Sequence, residues 1–203
     1  MEESRNVIIT GVGGQGNVLA ARLLAAVALD EGYEATVGDV YGLTQRGGSV
    51  ASHVRWTRGL PLPPLVPQQA LDILVGFEPL EALRILTQFG KEDSVAIVNE
   101  VPIMPIGVQT GRFKYPDHGE LRDGLRRLTK KLSLVNATEI AQNLGNVQAL
   151  NIVMMGALFG AGFISLKAEG FEKAIETQVP KRFVSLNLTA FREGMIPAKA
   201  APQ

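Results

Sequence analysis

The stretch VIITGVGGQGNVLAARLLAAV, residues 7–27, decides the fold. Val7, Ile8 and Ile9 form a compact apolar run that Gly11 closes, and from Gln15 onward Val18, Leu19, Leu23, Leu24 and Val27 recur at helical spacing. A strand, a glycine turn and a helix in that order begin an α/β unit, and the rest of the chain repeats the alternation.

Glu34 to Val40 reads as a second strand. Ser49 to Thr57 reads as a third, half-buried one, because Val50, Ser52, Val54 and Trp56 alternate with Ala51, His53 and Arg55. A proline-rich connection, Pro61 to Pro67, leads to Asp72–Phe77, a strand of the buried type. Pro79 then stands where the first turn of a helix tolerates proline, and Leu80, Leu83 and Leu86 are expected to face inward. Ser94 to Val98 repeats the strand pattern. Pro102, Pro105, Gly107 and Gly111 mark a loop of about a dozen residues, long enough to suggest binding or an interface. Asp117 to Lys131 is read as a basic amphipathic helix, Leu132 to Val135 as a short strand, and Thr138 onward as helical apart from breaks near Gly160 and Pro180. The expected architecture is a three-layer α/β/α, Rossmann-like domain with a mostly parallel sheet. One domain is expected over residues 1–195, with a flexible tail over 196–203.

The 203 residues suit one core, and 46% hydrophobic with 20% charged content is that of a soluble globular chain. Twenty basic residues balance twenty acidic ones, so there is no net positive field to hold a nucleic acid backbone. With no cysteine the chain can hold neither a disulfide nor a Cys-ligated iron–sulfur cluster or zinc, and the two histidines, His53 and His118, lack ligand-spaced partners. No metal site is expected. The start of the chain lacks the features of a secretory signal, so a cytoplasmic place is expected. Ala141 to Leu166 carries no charge, but its asparagines, glutamines and glycines suit a helix buried on the sheet, partly against a partner chain, better than a membrane span.

Gly11-Val12-Gly13-Gly14-Gln15-Gly16 has G-x-G-x-x-G spacing between a strand and a helix. Missing side chains let the chain turn tightly and let a phosphate approach the amides at the helix N-terminus. The same glycines also serve close strand–helix packing, and both readings stand at this point. Asp39, near the end of the second strand, is placed to hold a ribose hydroxyl in a dinucleotide reading, whereas Gln15 is unusual for that fingerprint. A Walker loop is excluded because Asn17 and Val18 follow Gly16.

A second loop runs Tyr41-Gly42-Leu43-Thr44-Gln45-Arg46-Gly47-Gly48-Ser49. Its Arg46 guanidinium can grip a carboxylate or phosphate while Gly47 and Gly48 let that anion approach the main chain; a plain turn with a solvated arginine is the alternative. Gly47-Gly48-Ser49-Val50-Ala51 is no nucleophile elbow, since its last position is Ala51 and Ser49 enters a strand. No catalytic residue is assigned to this chain.

Both loops, with Ser52-His53-Val54-Arg55 and Gly76-Phe77-Glu78-Pro79-Leu80-Glu81-Ala82-Leu83-Arg84, resemble the gamma-type subunit of 2-oxoacid:ferredoxin oxidoreductases, and within that family the indolepyruvate type. The likeness spans nearly the whole chain. It implies a complex whose large partner subunit binds thiamine diphosphate and iron–sulfur clusters, decarboxylates an aryl 2-oxoacid and passes electrons to ferredoxin, while coenzyme A takes the acyl group. It further implies a cofactor-binding role, for coenzyme A, of Gly11, Gly13, Gly14, Gln15 and Gly16 together with Gln45, Arg46, Gly47 and Gly48. A homo-oligomer is compatible with it. Tyr41 departs from the histidine often found there, and Leu43-Thr44 from the usual pair, which leaves the 2-oxoacid open. The rival readings are a free-standing NAD(P)-dependent Rossmann oxidoreductase and a non-catalytic docking module. His53 is expected to be a hydrogen-bonded packing residue, and Glu78 to favour the helix that begins at Pro79.

Overall fold

The computed structural model describes residues 4–42, 48–104 and 114–196. In chain order the elements are β1 (Arg5–Val12), α1 (Asn17–Asp30), β2 (Glu34–Tyr41), β3 (Ser49–Thr57), β4 (Leu71–Gly76), α2 (Pro79–Phe89), β5 (Gly90–Asn99), α3 (His118–Arg127), β6 (Lys131–Val135), α4 (Ala137–Asn143), a 3-10 turn (Val147–Ala149), α5 (Leu150–Gly160), α6 (Ala168–Gln178) and α7 (Lys181–Met195).

The six strands lie in the order β2-β3-β1-β4-β5-β6. β1, β4, β5 and β6 run parallel, whereas β3 is antiparallel to both β1 and β2. The sheet is thus a parallel block with an antiparallel pair on one side. Period-two alternation sorts the side chains into two cores. Val7 and Ile9 of β1 join a core covered by α1 and α4 to α7, and Ile8 joins a second core under α2 and α3. That makes three layers, as expected.

Several local expectations need correction. β3 is buried almost throughout and not half-buried, because α1 covers one face while the proline-rich connection lies by the other. Arg55 fixes that connection: its guanidinium donates to Asn6 Oδ1 at 2.7 Å and to the carbonyls of Pro63 and Leu65 at 2.8 and 3.1 Å. On α1, Leu19 is exposed and Ala20, Ala21 and Ala28 share the buried face with Leu23, Leu24 and Val27. On α2 the buried face is Ala82, Ile85 and Leu86, with Leu80 and Leu83 only half-buried.

The basic helix spans only His118–Arg127, with Leu128 as its C-cap, since Lys131 already pairs in β6. The helical C-terminal region has a further break after Asn143, where Gly145 takes a φ of 76°. No partner chain is needed to bury Met154, since Leu150 to Leu158 are buried within this chain and Gly156 lets α5 approach the main chain of α7 closely. No helix among the described residues is long and apolar enough to cross a membrane. Apart from Ile196, the expected tail lies outside the described residues.

Candidate functional site

β1 hands the chain to α1 on one face of the sheet and β4 hands it to α2 on the other. The carboxyl ends of these adjacent parallel strands therefore form a topological switch point, where ligands of open α/β sheets bind. The glycine loop closes one side of this crevice and Phe77-Glu78-Pro79 the other.

Each glycine of the loop has a distinct reason. A side chain at Gly11 would come within 2.4 Å of Gln15 Oε1 and 3.0 Å of Phe77, and one at Gly16, where φ is 82°, within 2.4 Å of Asn151 Nδ2. These two glycines serve packing and turning. Gly14 differs, because it is exposed, has a φ of 104° and would place a Cβ with nothing within 4 Å. Open space at that position is where a ligand can approach the main chain. Gln15 folds back into the loop: its Oε1 accepts from Val12 N–H at 2.6 Å and its Nε2 donates to the Phe77 carbonyl at 3.0 Å. α1 starts at Gly16 with no side-chain cap and no acid in its first turn, so its first amides stay available to an anion.

The second loop is joined to the first. Gly13 N–H donates to the Gly48 carbonyl at 2.8 Å, and Gly42 N–H to the Ser49 carbonyl at 2.8 Å. The chain thus leaves and returns beside the glycine loop. Gln45, Arg46 and Gly47 lie outside the described residues, as does any Glu78–Arg46 contact.

Asp39 does not fit the dinucleotide role. β3 stands between β1 and β2, and Asp39 Oδ1 accepts from Ser52 Oγ at 2.6 Å. An acid two strands from β1 and already bonded is poorly placed for a ribose at the glycine loop. His53 is buried, accepts from Val66 N–H at 3.1 Å through Nδ1 and meets Phe89 edge-on. Burial lowers its pKa, the charge of Arg55 lowers it further and Asp39 opposes them. It is a neutral packing residue.

Glu78 is the N-cap of α2, and its Oε2 accepts from Glu81 N–H at 2.8 Å. Its Oε1 accepts the Tyr115 hydroxyl. Burial pushes its pKa up, against the hydrogen bonds from Tyr115, Glu81 and Ile103. Asn99 is a contributor the sequence reading missed. Fully buried at the end of β5, it donates to the Phe77 and Val101 carbonyls, both at 3.2 Å, and accepts from Ala137 N–H at 3.1 Å. A polar residue ending an apolar strand run was the available signal. Asn17 and Asn151 flank the loop as well; Asn17 Oδ1 is buried and has no hydrogen-bond partner among the described residues.

Next to the crevice a cavity of about 270 Å³ lies between α3 and the ends of β5 and β6, lined by Val98, Asn99, Leu121, Leu125 and Leu134 among others. The larger hollow, about 700 Å³ between Gln68, Lys91 and Arg127, lies by the opposite end of the sheet, where the α/β switch point places no ligand. Among the described residues no group of three or more His, Cys, Asp or Glu is placed to hold a metal ion. The geometry suits binding and positioning of an anion.

Residues 6–196 match the family described as pyruvate ferredoxin/flavodoxin oxidoreductase. The chain is 37% identical, over 93% of its length and 92% of the relative's, to indolepyruvate oxidoreductase subunit IorB of Archaeoglobus fulgidus. Among solved structures it is similar to the gamma subunit of a keto/oxoacid ferredoxin oxidoreductase from Geobacter sulfurreducens, with a TM-score of 0.67 at 26% identity, covering 94% of this chain and 96% of that one. A 2-oxoglutarate:ferredoxin oxidoreductase from Magnetococcus marinus, solved with 2-oxoglutarate, coenzyme A and succinyl-CoA bound, shares the fold at a TM-score of 0.74 and 17% identity; all of this chain matches 32% of that one.

Proposed function

Because this chain belongs to the pyruvate ferredoxin/flavodoxin oxidoreductase family, we propose that it works as the small, non-thiamine subunit of an indolepyruvate-type 2-oxoacid:ferredoxin oxidoreductase. The complex oxidatively decarboxylates an aryl 2-oxoacid to its acyl-CoA and passes the electrons to ferredoxin. A large partner subunit carries thiamine diphosphate and the iron–sulfur clusters, and this cysteine-free chain carries neither. The complex works in the cytoplasm.

The observation that carries this chain's own share is the glycine loop, with its uncapped α1 amides and the open approach at Gly14. That geometry fits the phosphates of coenzyme A, whose thiol takes the acyl group when the cofactor is bound. Gly11, Gln15 and Gly16 shape the loop, Gly13 ties it to Gly48, and Gly14 with Arg46 meets the anion. The NAD(P) reading loses support with Asp39 bonded to Ser52 two strands away. The docking reading keeps the same loops but needs no ligand.

The test is co-expression with the large subunit, followed by titration with coenzyme A and with NADH. A brown, thiamine-containing complex that binds coenzyme A more weakly once Gly14 is substituted is the expected result. NADH binding by the isolated chain would favour the free-standing oxidoreductase, and a complex indifferent to changes in both loops would favour docking alone.

A further inference from the structure

The connection between β5 and α3 leaves along Glu100 to Met104 and returns along Lys114 to Asp117, and one buried carboxylate holds both limbs. Glu78, only 1% exposed, accepts the Tyr115 hydroxyl on the returning limb and a backbone hydrogen bond from Ile103 on the outgoing one. The same carboxylate caps α2 through Glu81 N–H. Tyr115 is itself bonded to the backbone of Leu80 in the first turn of that helix.

The preceding residue extends the arrangement. The Phe77 carbonyl receives Gln15 of the glycine loop and Asn99 at the end of β5. Two consecutive residues, Phe77 and Glu78, thus join the glycine loop, the end of β5 and both limbs of the connection.

We infer that Glu78 is a positioning residue for the glycine-loop site, fixing residues 100–104 and 114–117 beside it, and that proton uptake by Glu78 loosens that hold. The inference rests on the reading above that the glycine loop binds a ligand. An ionised carboxylate is an acceptor only, with two oxygens free for three donors; a protonated one must itself donate, and its bonds lose their charge-assisted character. Burial raises the pKa of Glu78, whereas the hydrogen bonds from Tyr115 and Ile103 lower it. A local release of the limbs that leaves Glu78 buried on α2 therefore raises it further, and falling pH favours that release even though it does not favour global unfolding. Among the described residues the ionisable groups facing Glu78 are Tyr115 on the returning limb and Glu81 on its own helix; Glu81 is paired outward with Arg84 at 2.9 Å. Tyr115 is held well above the usual phenol range, by burial first and by Glu78 second, so it stays a donor while Glu78 titrates.

Residue-resolved hydrogen exchange on the complete chain, corrected for intrinsic rates, reads the hold directly. From about pH 8 to about pH 5, protection of the Ile103, Lys114 and Tyr115 amides should fall by roughly tenfold in the wild type. Glu78→Gln, which keeps size but cannot titrate, should abolish that pH dependence. Tyr115→Phe should weaken protection at every pH while keeping the dependence.

Coenzyme A affinity of the assembled complex, measured at both ends of the range, should follow the same pattern in the wild type and not in Glu78→Gln. Protection that is independent of pH in the wild type, or equally dependent in Glu78→Gln, overturns the role of this carboxylate. A pH-dependent hold without any effect on coenzyme A affinity overturns the link to the site. Absence of coenzyme A binding at every pH instead overturns the ligand reading itself, and with it the positioning role, while the exchange data still decide the hold.

Discussion

Gln15 and Asn99, from opposite sides of the crevice, donate to the same oxygen, the Phe77 carbonyl, at 3.0 and 3.2 Å. One lies in the glycine loop after β1 and the other ends β5, so this oxygen fixes the loop against the parallel block of the sheet. Gln15 is the residue least like a dinucleotide fingerprint, and its amide is used internally at both ends. Gln15→Glu should therefore destabilise the fold by about 1–3 kcal/mol, since a carboxylate keeps the bond from Val12 but faces a carbonyl where a donor was. Chemical unfolding of the isolated chain measures this. Unchanged stability with weakened ligand binding would instead make Gln15 a ligand contact.

Gly14 and Gly16 both need a positive φ, but only Gly16 is also crowded, by Asn151. Alanine at either position brings backbone strain of order 1–3 kcal/mol, and at Gly16 the approach to Asn151 adds to it. Gly16→Ala should thus lower the melting temperature more than Gly14→Ala. If Gly14 marks the ligand approach, Gly14→Ala should lose coenzyme A affinity out of proportion to its stability change. Equal stability losses would show that Asn151 yields without cost.

The main lines of this architecture were legible because they follow from periodicity. Val7 to Ile9 marked the first strand, although the strand runs through Gly11 to Val12 before the turn, and Pro79 marked the start of α2. The insertion of β3 between β1 and β2 was not legible, since strand order depends on which edges pair and not on local pattern. The full burial of β3 was missed for a related reason: Arg55 looks like a surface residue until the proline-rich connection supplies the Pro63 and Leu65 carbonyls, whereas His53, expected to be a hydrogen-bonded packing residue, finds its partner in the Val66 amide of the same connection. Asn99 and Tyr115 act through partners distant in sequence, which spacing cannot reveal.

Glu78 gives a stability term with a defined sign. Its pKa is raised on folding, so between the ordinary glutamate value and the raised one the native state binds more protons than the unfolded chain. Stability should fall as pH rises through that window. Denaturant midpoints across it should show the fall in the wild type and a flatter profile in Glu78→Gln; identical slopes would assign the effect elsewhere.

His53 gives the opposite slope. Its pKa is lowered, chiefly by burial, so below about 6.5 the unfolded chain takes up a proton that the folded one resists. Its contribution is fully present above that value and is lost as pH falls toward the lowered one. His53→Gln should remove this part of the acid destabilisation, as read from midpoints at matched pH, and a variant as acid-sensitive as the wild type would clear His53 of the effect.

Arg46 carries the last prediction. Its loop is anchored beside the glycine loop, because Gly48 accepts from Gly13 N–H at 2.8 Å and Gly42 donates to Ser49. A guanidinium offers two parallel donors to a phosphate or carboxylate, whereas lysine offers a point charge, so Arg46→Lys should keep part of the function and Arg46→Ala should lose more. If the anion belongs to coenzyme A, loss of a charge-assisted contact of about 1.5–3 kcal/mol should weaken binding by roughly 10- to 100-fold. Thermal unfolding of the subunit should hardly change. If the anion is a carboxylate of the large subunit, assembly weakens while coenzyme A affinity of the complex that does form stays at the wild-type value. Wild-type assembly, affinity and turnover in Arg46→Ala would together reduce this arginine to a solvated turn residue and remove the second loop from the site.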